Sequence, residues 1–579
     1  MFDLATERRA PRLTSSPWRR RRCDAGVTDR DLNGLWCRAL AEELRRSGVC
    51  RAVLCPGSRN SPLLFALAAA FGDDAVSHVD ERSGAFIALG ATRLIGAPTL
   101  VCVTSGSALA NCAPALAEAQ GAHLPLIVVV ADRPWELHGC GAPQTMPQVQ
   151  VLRGLVGREC DLGEPVASDR ALRALRSQVS RLAQGSGPAV INVPLRDPLV
   201  PTGSWTVPEG MSDSAVNGRK KPGEPAPFTR LGVSAPVLGR RGLITAGHGA
   251  VADRVLHLAE MTGYPVLADA ISGLRRDDVP RLICHADALV SGPLGRERPD
   301  TIIQCGDVPL SRAVYEWLDR AEATWISDEP DGRNRDWLAR AGTVLNSSRR
   351  LPQSHGVDAA WISAWQSADS HANQALVAAM ADSPWSEPLA AHLICRHPAP
   401  RRLLVANSMA VRHANLHCGP RPKDFQLFAN RGVNGIDGQV GTLIGLASTG
   451  APGPTWLLTG DLALLHDLPA LAGLAKVKGP GAIIVLNNGG GGIFDYLPVA
   501  SEPGYQQWVR TAHGLDFTNV AAQFGLTYHR VADRAGLNAA LAAASVDQAG
   551  WRLIECDLRS ATDTVERHRA LVRAMAGMG

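Results

Sequence analysis

Residues 455–494 read TWLLTGDLALLHDLPALAGLAKVKGPGAIIVLNNGGGGIF. Thr455–Leu458 is an apolar run that ends in Thr459-Gly460-Asp461, and a helical segment begins at Leu468. A second apolar run, Ala482–Asn487, stops at Asn487-Asn488 before the glycines Gly489 to Gly492. Apolar runs of this length with a helix between them read as strands of a parallel sheet covered on both faces. Both polar ends then fall at the carboxyl edge of the sheet, where open α/β sheets bind ligands. An aspartate and an asparagine carbonyl there can share a hard cation such as Mg²⁺, which keeps few protein ligands and takes the rest from phosphates and water. The glycines let backbone N–H groups approach a diphosphate closely. The competing reading is two ordinary turns in which Asp and Asn bond to their own backbone.

The same alternation runs outward along the chain. Upstream, strand-like runs lie at Ala52–Cys55, Thr99–Thr104, Leu126–Ala131 and Ala189–Val193, with helices over Leu63–Phe71, Gly84–Thr92 and Leu109–Ala119. A first helix is signalled by Thr28 and Asp31 ahead of Leu32, Leu35, Trp36 and Leu40. A middle block has strands at Gly242–Ala246, Pro265–Ala268, Thr301–Cys305 and Thr324–Ser327, and a helix through Val255–Met261. Gly247-His248-Gly249 follows its first strand but lacks the G-x-G-x-x-G pattern, so it reads as a structural turn. The last block adds strands at Leu403–Ala406, Phe425–Ala429 and Arg552–Cys556. The fold class is therefore α/β, three domains with mainly parallel sheets flanked by helices, and the first and third blocks are alike in size and style.

Composition narrows the function. Of 579 residues, 45% are hydrophobic and 20% charged, a globular composition. The 59 basic and 55 acidic residues leave +4, too little to make nucleic acid or an anionic membrane the main partner. Only Lys220, Lys221, Lys423, Lys476 and Lys478 are lysine; every other basic residue is arginine, the side chain that grips carboxylates bidentately. Thirteen cysteines without a C-x-x-C pair fit thiols in a reducing cytoplasm, and Cys102, Cys305 and Cys556 lie in apolar runs. Arg19–Arg22 is followed by no apolar stretch, so residues 1–27 read as a disordered basic extension, and no segment suits membrane insertion.

In the first block, His78-Val79-Asp80-Glu81-Arg82 precedes the small-residue helix. Alone, Glu81 is a carboxylate favoured at a helix start. Together with the Asp461 and Asn488 site it resembles the thiamine-diphosphate-dependent enzymes, and more narrowly the 2-succinyl-5-enolpyruvyl-6-hydroxy-3-cyclohexene-1-carboxylate synthases of menaquinone biosynthesis. The resemblance is carried by Pro56-Gly57-Ser58-Arg59, Thr104–Asn111, Ala131-Asp132-Arg133-Pro134, Gly141-Ala142-Pro143-Gln144, Asn407–Arg412, Gly460-Asp461-Leu462 and Gly491–Phe494. Asn430–Gly438, reading NRGVNGIDG, is its most diagnostic stretch.

The resemblance implies a thiamine-diphosphate-binding fold with a pyrimidine-binding domain over 28–200, a linker over 201–230, a central domain over 231–350 and a diphosphate-binding domain over 351–579. It also implies a cofactor site between two subunits, hence a homodimer or homotetramer. The implied cofactors are thiamine diphosphate with Mg²⁺ or Mn²⁺ on Asp461, Asn488 and Gly490, the coenzyme also touching Glu81, Ile436, Gly460, Leu462, Ile493 and Phe494. The implied reaction is decarboxylation of 2-oxoglutarate and conjugate addition of the succinyl unit to isochorismate, with Glu81 holding the aminopyrimidine. Ser58, Arg59, Arg133, Gln144, Arg312, Ser408, Arg412 and Arg431 would bind these dianionic substrates. Ser311 departs from the Lys-Arg pair of some members, which puts one cationic contact in doubt. The alternative is another thiamine-diphosphate-dependent decarboxylase or an acetolactate-type synthase, whose monocarboxylate substrate needs fewer arginines. No histidine, His78 and His138 included, stands out as catalytic.

Overall fold

A computed structural model describes residues 29–199, 238–330, 335, 341, 343–345, 356–546, 550–561 and 563–578. The extension expected over 1–27 and the linker expected over 201–230 lie outside these residues.

The strands among the described residues form three six-stranded parallel sheets. The first contains β1 (Arg51–Leu54), β2 (Ala75–Ser77), β3 (Thr99–Val103), β4 (Leu126–Asp132), β5 (Arg158–Asp161) and β6 (Ala189–Pro194), ordered β2-β1-β3-β4-β6-β5. The second contains β7 (Gly242–Ala246), β8 (Val266–Ala268), β9 (Leu282–Ile283), β10 (Thr301–Cys305), β11 (Thr324–Asp328) and β12 (Thr343–Leu345), ordered β12-β11-β10-β7-β8-β9. The third contains β13 (Arg402–Val405), β14 (Gln426–Phe428), β15 (Thr455–Gly460), β16 (Gly481–Asn487), β17 (Thr527–Val531) and β18 (Trp551–Asp557), ordered β14-β13-β15-β16-β18-β17. The first and third sheets thus share one strand order. In the third, the chain leaves β13 for β14 on one side and continues at β15 on the other, so a crevice opens at their carboxyl ends.

Two-residue alternation sorts the apolar side chains. In the first sheet Val101, Val103, Val128 and Val130 face one core, while Leu100, Cys102, Ile127 and Val129 face another. In the third, Leu457, Ile483, Val485 and Leu553 join that first core, while Trp456, Leu458, Ile484 and Ile554 line a separate one. One apolar core therefore spans both sheets, with the helices Glu81–Ile95 and Gln439–Ala447 packed against each other within it. Their backbones touch. A Cβ on Gly90 would stand 2.3 Å from the Thr442 carbonyl oxygen, and one on Gly445 would stand 2.1 Å from that of Ile87. A side chain at either position would force the helices apart, at a cost of about 1–3 kcal/mol.

Caps fix both helices. Asp80 accepts from the Ser83 N–H, and Gly96 ends the helix in the left-handed region at φ 72°. Buried Asp467 accepts from Gly438 N–H (3.1 Å) and Val440 N–H (2.6 Å) at the start of the other. The helix expected over Leu109–Ala119 is broken into Ser107–Asn111 and Ala113–Ala122, because Pro114 offers no N–H and crowds the carbonyl four residues back. The segment from Leu468 is a 3-10 helix to Lys476.

Candidate active site

The crevice of the third sheet holds a cavity of about 510 Å³. After β13 the chain turns sharply at Ser408, a non-glycine residue at φ 65° and ψ −130°, before the helix Met409–His417. Such a backbone costs about 1–3 kcal/mol and persists only where its surroundings hold it. Here Asn407 holds it: its Nδ2 donates to the carbonyls of Asn430 (2.8 Å) and Gly435 (2.7 Å), and its Oδ1 accepts from Arg431 Nη1 (2.8 Å). Arg412 donates to the Ser408 carbonyl at 2.6 Å. Arg412 and Arg431 both face the cavity. Burial, and then the adjacent Arg412 guanidinium, hold Arg431 below its ordinary pKa; burial also lowers Arg412, opposed by Asp287. Two half-desolvated guanidiniums side by side favour a ligand with carboxylates.

β15 delivers Asp461, whose side chain is almost wholly buried. Its Oδ1 accepts from Leu462 N–H (2.6 Å) and its Oδ2 from Gly490 N–H (2.9 Å), with His513 Nε2 at 3.3 Å from Oδ2. Burial pushes the Asp461 carboxyl up, opposed by those N–H groups and by His513. β16 delivers Asn488 across from it. Gly490 has φ 147°, and a Cβ there would stand 2.6 Å from the Arg510 carbonyl; one on Gly492 would stand 2.4 Å from Asn488 Nδ2. This turn needs its glycines, and they keep the backbone open to a ligand. Among the described residues no group of three or more His, Cys, Asp or Glu is placed to hold a metal ion. Asp461 with Asn488 is instead the sparse oxygen set that a hard cation completes with phosphate and water.

Of the residues singled out from sequence, Ser408, Arg412, Arg431, Ile436, Gly460, Asp461, Leu462, Asn488, Gly490, Ile493 and Phe494 line this one cavity. Ser58, Arg59, Glu81, Arg133 and Gln144 do not; they lie at the carboxyl end of the first sheet. There Arg133 Nη2 donates to Gln144 Oε1 (2.9 Å), and Arg59 pairs with Asp197 (2.9 Å). Burial, then repulsion from Arg59, lower the Arg133 pKa, so these two cations also lie close together. Glu81 Oε2 accepts from Asn111 Nδ2 at 3.1 Å, and Ser58 is exposed. Arg312 joins neither group. Its side chain is 87% exposed and pairs with Glu316 one helical turn on, while Ser311 caps that helix.

Sequence reasoning gave no role to four residues that line the cavity or hold its lining: Asn407, which it quoted only within a motif, Glu387, Arg510 and His513. Buried Glu118, from the first block, is a fifth. It accepts from the Gly432 and Val433 N–H groups (both 2.9 Å) and from Arg93 (3.0 Å), fixing the turn that carries Arg431. Burial works against the Glu387 charge, but His413, Asn488 and Arg510 outweigh it and hold the carboxyl below its ordinary pKa. The twelve described cysteines are free, and Cys102 is raised by burial to about 12. Among the described residues no helix is long and apolar enough to cross a membrane.

Residues 37–151 match the family model described as thiamine pyrophosphate enzyme, N-terminal TPP binding domain. Residues 409–556 match that described as thiamine pyrophosphate enzyme, C-terminal TPP binding domain. Over 592 aligned residues the chain is 35% identical to the 2-succinyl-5-enolpyruvyl-6-hydroxy-3-cyclohexene-1-carboxylate synthase of Myxococcus xanthus (strain DK1622), covering 95% of this chain and 99% of that protein. Proteins of the same name from Roseiflexus sp. (strain RS-1) and Haloarcula marismortui are 33% and 34% identical. They cover 95% and 91% of this chain and 98% and 96% of their own lengths.

Proposed function

The chain belongs to the 2-succinyl-5-enolpyruvyl-6-hydroxy-3-cyclohexene-1-carboxylate synthases, a family of thiamine-diphosphate enzymes, and from that premise we propose how its own residues divide the work. The reaction is decarboxylation of 2-oxoglutarate and transfer of the succinyl unit to isochorismate, in menaquinone biosynthesis. Thiamine diphosphate, when bound, supplies the electron sink that decarboxylation of a 2-oxo acid needs. The carboxylate of Asp461, the amide oxygen of Asn488 and the carbonyl of Gly490 would hold Mg²⁺ or Mn²⁺ against its diphosphate. Supporting this, Asp461 and Asn488 face one cavity across a turn that only glycines can make. Ile436, Ile493 and Phe494 line that cavity and would give the cofactor and substrate an apolar wall.

Glu81 would keep a proton at the aminopyrimidine ring, general acid–base work decided by geometry before pKa. Arg412, Arg431 and Ser408 would take one set of carboxylates, and Arg59, Arg133, Gln144 and Ser58 another. Within one chain these two groups lie on different sheets. That separation supports a site completed by a second copy of the chain, a homodimer at least. Arg312 would need to swing inward from its surface pair to serve. Unbridged cysteines suit a cytoplasmic location.

The observation that carries the substrate assignment is the pair Arg412 and Arg431, half-buried in the same cavity as Asp461 and Asn488. Incubation with thiamine diphosphate, Mg²⁺, 2-oxoglutarate and isochorismate tests it. Carbon dioxide release and isochorismate loss in equal amounts is expected. Carbon dioxide release that leaves isochorismate intact would make the protein a simple decarboxylase instead.

A further inference from the structure

Glu387 opens the helix Glu387–Arg396 and faces the same cavity with its side chain only 6% exposed. Its Oε2 accepts from Asn488 Nδ2 at 2.9 Å. Its Oε1 lies 3.0 Å from Nε2 of His413, whose ring is wholly buried. On the other side of the same amide, Arg510 directs Nη1 at Asn488 Oδ1 (3.4 Å) and Nη2 at the Asn488 carbonyl (3.2 Å). An ionised carboxylate only accepts hydrogen bonds and a guanidinium only donates them. An asparagine amide between the two has one satisfied orientation, with nitrogen toward Glu387 and oxygen on the opposite side. Turned over, it would set N–H against N–H and oxygen against oxygen, and would aim donors at a cation.

The geometry points to Glu387 as a positioning residue that commits Asn488 Oδ1 to the divalent cation, an inference that rests on the thiamine-diphosphate reading above. His413 steadies the free oxygen of that carboxylate, so the arm that holds Asn488 is itself held at both ends. Groups that orient metal ligands from behind typically carry 10–100-fold of metal affinity. Neither the apolar wall of the cavity nor its arginines would be touched by changing Glu387.

The test needs no turnover. Mg²⁺ is titrated into the full-length protein at fixed thiamine diphosphate, and cofactor binding is followed by calorimetry and by tryptophan fluorescence. Glu387→Gln keeps the shape but gives the arm an N–H₂ group that can turn the Asn488 amide over. The Mg²⁺ concentration for half-maximal cofactor binding is expected to rise about 10–100-fold, while the unfolding midpoint of the cofactor-free protein stays near that of the wild type. His413→Gln, which keeps a donor toward Oε1, is expected to shift it by less than about threefold, since the carboxylate that faces Asn488 is still there. If Glu387→Gln does not fold, Glu387→Asp reads the same quantity, because its shorter arm cannot span both partners. A folded Glu387 variant with an unchanged Mg²⁺ requirement overturns the inference. A wild-type protein that binds no thiamine diphosphate at any Mg²⁺ concentration overturns the functional reading instead.

Discussion

The first and third sheets have the same strand order and share one apolar core, yet their carboxyl ends are furnished differently. The third ends in a deep cavity with a buried aspartate, an asparagine and a glycine turn. The first bears Arg59, Arg133 and Gln144, with Glu81 at the start of a helix. The strands are interchangeable in kind, so the chemistry resides in the turns that follow them. On the proposed reading, one end would hold the phosphate-bearing cofactor, and the other would offer an acid and cations to what that cofactor binds.

The sharpest way to break this contrast is at its two carboxylates. Glu81→Gln is expected to lower turnover by about 10³-fold while thermal unfolding stays unchanged. A normal rate would remove the first sheet from the chemistry. Asp461→Ala should weaken thiamine diphosphate binding on the order of 100-fold, with the loss largest at low Mg²⁺. If affinity does not change in a binding titration, the cation lies elsewhere. The arginines offer a finer comparison. Arg133→Ala and Arg412→Ala each lose a charge-assisted contact, so KM for 2-oxoglutarate or isochorismate should rise about 10–100-fold in each. Equal effects on the same substrate would merge the two groups into one subsite; effects on different substrates would keep them apart.

The smallest effect concerns what lies beneath the third sheet's site. His392, His413, His417 and His568 form a chain of buried ring contacts there. Burial first, then neighbouring cationic or histidine groups, hold His392 and His568 down at about 4 and His417 well below its ordinary value. An unfolded chain takes up these protons near 6.5 and the folded chain does not. The stability contributed by His392, His417 and His568 is therefore complete above about pH 6.5 and is lost as pH falls toward 4. Unfolding midpoints measured across that range should fall with acid. His417→Leu, which removes two unpartnered ring nitrogens, should reduce the slope by about one proton. A slope unchanged by His417→Leu would show that His417 already titrates in the folded state.

How much of this was legible follows from burial. Interior strands such as β3, β4 and β16 are buried along their whole length and read as unbroken apolar runs. The strands that escaped notice, β2, β5, β9, β12 and β17, are all at sheet edges. Arg158–Asp161 and Thr527–Val531 expose part of their side chains and carry charge, so neither periodicity nor composition marks them. The site divides in the same way. Asp461, Asn488 and the glycines announce themselves through turn spacing, whereas Arg431 entered only through the family resemblance of Asn430–Gly438. Glu387 and Asn407 act through hydrogen bonds to residues distant in sequence, Asn488 and His413 for the one and Asn430, Arg431 and Gly435 for the other, and nothing in their local sequence records those partners. His513 and Arg510 arrive on a loop between β16 and β17 whose course is set by Gly489 and Gly491.

The bare contact between the helices Glu81–Ile95 and Gln439–Ala447 has a mechanical meaning. Where Gly90 meets Thr442 and Gly445 meets Ile87, no side chains intervene to slide or roll, so this joint is a weld rather than a hinge. To spread like jaws, the two sheets would first have to break this backbone contact. The rim of the cavity is built instead from the segments that follow β13, β15 and β16.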